Sequence, residues 1–282
     1  MKNKSNHPLS HLIPSRAFAD KYVSRKVGGY TDLDVLDYAR RAQENVMIYG
    51  PTGPGKTSFV LAYAARNNLP VVTIQCNGAI DPASFWGQIT FDDSGDIAGW
   101  VDSDVTTVIE NGGILYLDEV NFTPPKIMSV FHSLTDDRRV VTILEQGNRV
   151  IKAHPDLLVV AAYNPDYEGT RPLNAAFKNR FDLKMHFGYD PDVEAELICM
   201  PVMAEIAAKL RASHDQGAIM TPVSTNALMK FEVFALDFSI QFAILNFVNS
   251  FHVDEQSAVT EVFSIYESEL KKQVEEMKKV MS

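Results

Sequence analysis

Gly50-Pro51-Thr52-Gly53-Pro54-Gly55-Lys56-Thr57 is a glycine-rich turn that closes on Lys and Thr, the pattern of a phosphate-binding loop. Ahead of it, Asn45–Tyr49 (NVMIY) is apolar enough for a buried strand. Behind it, Ser58–Ala65 (SFVLAYAA) suits a helix. Strand, loop and helix in that order is the context the motif requires. Gly50, Gly53 and Gly55 let the backbone curl so that its N–H groups face a phosphate chain. The helix that follows adds the positive end of its dipole. Lys56 can reach the β- and γ-phosphates, and the Thr57 hydroxyl can bind Mg²⁺. The segment Gly50–Ser58 is therefore the expected nucleotide-binding element, with ATP and Mg²⁺ as the expected cofactors. A glycine-rich turn with a chance Lys-Thr is the plain alternative, and a second motif argues against it.

That motif is Gly113–Glu119 (GILYLDE), an apolar strand that puts two adjacent carboxylates at its C-terminal end. In open α/β sheets this is the end at which ligands bind. Asp118 can hold Mg²⁺ through its water shell. Glu119 can take a proton from an attacking water, which separates a hydrolase from a passive binder. Asn164 follows a further apolar run, Leu157–Ala162, and would stand beside Glu119 if that strand lies between the first and the third. An amide there can orient the water; an Asn-Pro turn after a strand is its bland reading. Arg180 can be a surface residue or an arginine finger, and residue chemistry alone does not choose.

The rest of the chain fits a parallel sheet with helices on its faces. Strands are expected at Val46–Tyr49, Pro70–Cys76, Gly113–Leu117, Leu157–Ala162 and Phe181–Phe187, alternating with helical stretches. Thr31 with Asp34 three residues on marks the start of a helix running to Ala42. A helix start at Ala83–Trp86 followed by a hairpin around Asp92–Asp96, and a second hairpin around Gln146-Gly147-Asn148, interrupt the alternation. From Asp190-Pro191 onward only helices are expected. This divides the chain into an N-terminal arm (1–20), an α/β domain (21–190) and a helical lid (191–282). Val259–Met281 carries apolar residues at helical spacing, expected to pack on its own domain rather than form a coiled-coil seam.

A formal net charge of −10 argues against a nucleic-acid motor, although a ring could hide a basic pore. Neither a signal-peptide core nor an apolar run long enough for a membrane span is legible, so a cytoplasmic protein is expected. Cys76 and Cys199 are far apart within apolar stretches and are expected to be buried, reduced thiols.

These stretches together resemble AAA+ ATPases of the MoxR class, and within it the CbbQ/NorQ branch. The resemblance covers about residues 20–190 closely and the helical remainder loosely. Beyond the two nucleotide motifs it rests on Thr73–Cys76, Leu134–Arg139, Ala153-His154-Pro155 and Tyr163-Asn164-Pro165-Asp166-Tyr167. It implies a five-stranded parallel sheet in the order 5-1-4-3-2 followed by a small helical lid. It implies that Asp118 and Glu119 are the Walker B pair, Asn164 sensor 1 and Arg180 the arginine finger. The two hairpins match the helix-2 and pre-sensor-1 inserts, which line the pore of a hexameric ring. A von Willebrand factor A-domain partner and a protein client, in metalloenzyme maturation or Rubisco activation, are implied too. A nucleic-acid-directed motor and a gas-vesicle-type assembly ATPase are the alternatives. The chain departs from the family in two places. Lys178 replaces one of two arginines, with Arg171 nearby as a substitute, and Asn226 stands where sensor 2 is Arg.

Overall fold

The computed structural model describes residues 7–76, 80, 85–165 and 173–281. They form two compact units, one from the chain up to Gly50 together with Lys56–Phe187, the other from Pro51–Gly55 together with Gly188 onward.

In the first unit the chain runs through α1 (Ala17–Lys21), a short ribbon of β1 (Lys26–Val27) and β2 (Tyr30–Thr31), α2 (Asp32–Ala42), β3 (Val46–Tyr49), α3 (Lys56–Asn67) and β4 (Val71–Gln75). Then come β5 (Gly87–Phe91), β6 (Ile97–Asp102), α4 (Asp104–Asn111), β7 (Gly113–Asp118) and α5 (Pro125–Leu134). It closes with β8 (Val140–Ile143), β9 (Arg149–Lys152), β10 (Leu157–Tyr163), α6 (Ala175–Lys178) and β11 (Leu183–His186). Five strands form one parallel sheet in the order β11-β3-β10-β7-β4. Counting the five buried strands along the chain, this is the expected order 5-1-4-3-2.

The sheet is covered on both faces, which is why its strands read as continuous apolar runs. Successive residues of β7 and β10 alternate between two cores. Leu115, Leu117, Leu157, Val159 and Ala161 enter one, with Phe131 of α5 and Val108 and Ile109 of α4. Ile114, Tyr116, Leu158, Val160 and Ala162 enter the other, with Phe59, Val60 and Tyr63 of α3 and Leu36 of α2. Each fully buried aliphatic side chain here is worth roughly 1.5–3 kcal/mol. Helix α2 begins with the expected cap. The Thr31 hydroxyl accepts from Asp34 N at 3.1 Å, and the Asp34 carboxylate accepts from Thr31 N at 3.0 Å.

Both hairpins form as separate two-stranded antiparallel ribbons, β5–β6 and β8–β9. The β5–β6 turn is tied by Asp92, whose carboxylate accepts from Ser94 N and Asp96 N. Of the helix start expected at Ala83–Trp86, residues 83 and 84 lie outside the described residues. Phe85 and Trp86 form a bend instead of a helix, edge to face at 4.9 Å and buried against Phe131. Trp100 packs over its own hairpin: a Cβ on Gly87 would stand 2.8 Å from its ring. Residues 7–12 of the N-terminal arm are tied to the first unit. Leu9 is buried in the sheet's core, and the His7 ring bonds the Gly112 carbonyl at 2.9 Å.

The second unit contains α7 (Pro191–Leu197), α8 (Pro201–Asp215), α9 (Thr225–Asp237), α10 (Ile240–Val248) and α11 (Gln256–Met281). Its core interleaves Met203, Ile206 and Leu210 of α8, Leu228 and Phe231 of α9, Ala243 and Phe247 of α10, and Val259, Phe263, Leu270 and Val274 of α11. The apolar stripe of α11 is thus occupied within its own unit, with Phe231 and Phe263 stacked at 5.5 Å. Cys76 is buried as expected, but Cys199 is exposed. The backbone at Ile198 and Met200 is extended, so these neighbours turn inward and Cys199 faces out. No helix among the described residues is long and apolar enough to cross a membrane.

Candidate functional site

Strand β3 delivers the chain to Gly50 against the backbone that follows β11. Phe187 N donates to Tyr49 O at 2.7 Å, and Gly50 N donates to Tyr163 O at 3.3 Å. Gly50 has φ +149°, and a Cβ there would stand 2.0 Å from Phe187 O. The obstacle is backbone, which cannot swing aside. Gly50→Ala is therefore expected to destabilise the protein by about 1–3 kcal/mol or more, read as a lowered urea midpoint at unchanged slope.

Lys56 opens α3, half-buried, and its Nζ donates to Gly50 O at 2.8 Å. Burial pulls its pKa below the ordinary lysine value, while Asp118 and Glu119 pull it back up. Both carboxylates are therefore within electrostatic reach of the Lys56 ammonium. Asp118 ends β7, and Glu119 begins the turn beyond it at φ +55°, ψ +42°. A left-handed backbone at a non-glycine residue costs roughly 1–3 kcal/mol and is found where a site needs an unusual presentation. The Glu119 N–H donates to Asp118 Oδ1 at 3.1 Å, and the Glu119 side chain is exposed.

A short hydrogen-bonded chain joins the two motifs. Tyr116 Oη donates to Asp118 Oδ1 at 3.1 Å and lies 3.3 Å from Thr57 Oγ1. Burial, followed by the charge of Asp118, drives the Tyr116 phenol far above its ordinary pKa, so it keeps its proton. Its single hydrogen is engaged by Asp118, which leaves the Thr57 hydroxyl as donor in the other bond. On the far side, Gln75 Nε2 meets Asp118 Oδ2 at 3.5 Å, as the Gln75–Asp118 strand register dictates. Cys76 is pushed up to about 12, by burial first and by Asp118 and Glu119 next, so it stays a thiol. Asn164 leaves β10, which lies between β3 and β7, so the strand order brings it to the same sheet edge. Asn121 Nδ2 holds its carbonyl at 3.0 Å.

The middle of the loop belongs to the second unit. Tyr189 Oη donates to Thr52 O at 3.0 Å, and a Cβ on Gly53 (φ +80°) would stand 2.5 Å from Ser224 Cβ. Burial pushes the Tyr189 phenol up to about 12. Its ring lies 4.0 Å under the Arg211 guanidinium, which grips Glu194 through two 2.7 Å bonds. Pro51, Pro54 and Gly55 complete this segment. Ser58 is exposed in the first turn of α3.

Among the described residues no cluster of three or more His, Cys, Asp or Glu could hold a metal. Thr57 and Asp118, joined through Tyr116, instead offer two hard oxygens at one sheet edge. That suits Mg²⁺, which binds one or two protein oxygens and completes its shell with water and phosphate. Arg180 stands apart: its Nη1 donates to Ala176 O at 2.6 Å, while its Nε is buried with no partner among the described residues. Lys178 lies 5.5 Å over the Tyr163 ring. Arg171 lies outside the described residues. Asn226 is exposed in the first turn of α9.

A family model for the AAA domain, dynein-related subfamily, matches residues 45–181. Protein CbbQ of Hydrogenophilus thermoluteolus is 37% identical over 57% of this chain and 59% of its own. Protein NorQ of Paracoccus denitrificans is 36% identical over 59% of this chain and 61% of its own. An uncharacterized protein of Staphylococcus haemolyticus is 34% identical over 64% of this chain and 68% of its own. The chain belongs to the MoxR-class AAA+ ATPases. The matches span little more than half the length of CbbQ and NorQ. Motif reading passed over Tyr116, Gln75 and Asn121, which bond Asp118 or Asn164 in the first unit, and Tyr189, which bonds Thr52 in the second. Tyr116 had a usable signal, since it shares a strand face with Asp118 two positions on.

Proposed function

We propose that this chain hydrolyses Mg-ATP in a hexameric ring of identical subunits and uses the turnover to remodel a protein client. The observation that carries the reading is the joining of Thr57 and Asp118 through Tyr116 at the C-terminal edge of the sheet, with Lys56 within electrostatic reach of Asp118 and Glu119. The N–H groups of the loop and of the first turn of α3 would cradle the phosphates, with Lys56 as the mobile cation. Thr57 and Asp118 would hold Mg²⁺, which when bound neutralises charge on the β- and γ-phosphates. Tyr116 keeps these two oxygens oriented by donating to one and accepting from the other. Glu119 would accept the proton of the attacking water, with Asn164 positioning that water. Arg180 of one subunit would serve the site of the next.

The resemblance to the CbbQ/NorQ branch supports a von Willebrand factor A-domain protein as partner and a metalloenzyme or Rubisco as client. The decisive test of the site is Lys56→Ala, measured by titration with a fluorescent ATP analogue. Removing the half-buried cation is expected to weaken binding on the order of 100-fold, about 2.7 kcal/mol. Wild-type affinity in a folded Lys56→Ala protein would remove the phosphate-loop assignment. Capture from native cells with tagged protein then tests the partner: recovery of a nuclease or vesicle shell proteins instead of a von Willebrand A-domain protein would redirect the client assignment.

A further inference from the structure

The two hairpins are separate ribbons with no shared strand ladder. A two-stranded ribbon is marginal by itself, so its orientation depends on side-chain ties to its surroundings. Val141, Ile143 and Ile151 seat the second ribbon in the core, and one residue adds polar ties to both ribbons. Arg149, the first residue of β9, sends Nη1 to Asp102 Oδ1 and Oδ2, each at 2.9 Å, and to Gln146 Oε1 at 2.9 Å. Its Nη2 donates to Glu110 Oε1. Asp102 is the last residue of β6, Gln146 lies in the β8–β9 turn, and Glu110 sits in the last turn of α4. A single guanidinium therefore bridges both ribbons and the helix that leads into β7.

The surroundings make this a directed arrangement rather than a loose surface contact. Asp102 also accepts from Trp100 Nε1 at 2.8 Å, so the carboxylate is fixed on its own hairpin before Arg149 reaches it. The root of β5–β6 is fastened to α4 separately, by Ser103 Oγ on Phe85 O at 2.7 Å and Thr106 Oγ1 on Trp86 O at 2.6 Å. The planar fork satisfies three groups at once, a geometry that lysine cannot reproduce. Ile89, Phe91 and Val101 on the first hairpin and Leu144 and Val150 on the second are exposed. Whatever the two ribbons meet, they meet as parts joined at Arg149.

We propose that Arg149 is a positioning residue that locks β5–β6, β8–β9 and α4 into one body, so that a displacement of either hairpin is transmitted to the other. This goes beyond the ATPase reading and does not depend on it.

The experiment is amide hydrogen exchange on the full-length protein without nucleotide, comparing wild type with Arg149→Ala, Arg149→Lys and Asp102→Asn. Arg138→Ala is the control, since Arg138 is exposed and its ion pair is with Asp136 in its own turn. Arg149→Ala is expected to raise exchange roughly tenfold in both segments 87–102 and 140–152, with Arg149→Lys in between and Arg138→Ala unchanged. Asp102→Asn discriminates, because a local role would loosen only its own hairpin, whereas a strut loosens 140–152 as well. If Arg149→Ala confines its effect to 140–152 and Asp102→Asn confines its effect to 87–102, the strut is overturned. Should Arg149→Ala fail to fold, Asp102→Asn and Glu110→Gln still decide, each by whether 140–152 responds. A failed ATPase assay would leave these outcomes standing, so the two readings fail separately.

Discussion

Glu119→Gln is expected to bind ATP as wild type does and to turn it over roughly 10²–10⁴-fold more slowly. The substitution keeps the size and hydrogen-bonding reach of the side chain and removes its ability to accept a proton. Glu119 is exposed and held at a left-handed backbone position, while Asp118 is engaged by Tyr116, Gln75 and the Glu119 N–H. The two adjacent carboxylates therefore differ in availability. Asp118 is tied into the lattice that reaches Thr57, and Glu119 is the one left to act on a water. The affinity and the rate must be measured on the same preparation, by nucleotide titration and by steady-state phosphate release. Wild-type turnover in Glu119→Gln would withdraw the general-base role from this residue. Loss of binding together with turnover would mean instead that Glu119 supports the Lys56 ammonium, whose pKa it helps to raise.

The contrast between these two carboxylates also shows what was readable before the fold was known. The phosphate loop and the GILYLDE strand are contiguous, and their chemistry follows from neighbours in sequence. The strand order could be anticipated from the resemblance, and the alternation of β7 and β10 between two cores then follows from period two. What escaped was what depends on distant pairing. Tyr116 looked like one more apolar strand residue, and only the fold sets its hydroxyl beside Thr57. Tyr189 meets Thr52 across 137 positions, and Arg149 meets Asp102 across 47 and Glu110 across 39. Such pairs carry no local signature. Cys199 failed in a related way. A thiol between apolar neighbours has a backbone conformation that decides its exposure, and composition does not reveal it.

Arg180→Ala is expected to leave nucleotide affinity nearly intact and to lower turnover by roughly 10³-fold or more. The reasoning starts from what Arg180 does within its own chain. Among the described residues it makes no ion pair, its Nη1 is spent on Ala176 O, and its Nε is buried without a partner. Its charge is felt by His132, whose pKa is lowered by burial first and by Arg180 next. Asn45 fixes its carbonyl at 3.0 Å, so the backbone is anchored while the guanidinium meets no carboxylate among the described residues. None of its hydrogen bonds reaches Lys56, Thr57, Asp118 or Glu119. An arginine so placed, in a motif that resembles an arginine finger, is expected under the proposed ring to find its anion on a neighbouring subunit. The test is complementation. Subunits with Arg180→Ala and subunits with Lys56→Ala are each expected to be inactive alone. In a mixed ring, some interfaces pair an intact phosphate loop with an intact Arg180 from the next subunit, so activity should partly return. No recovery despite demonstrated co-assembly would count against a finger acting between subunits. Full activity in a monomeric fraction would remove the ring from the mechanism.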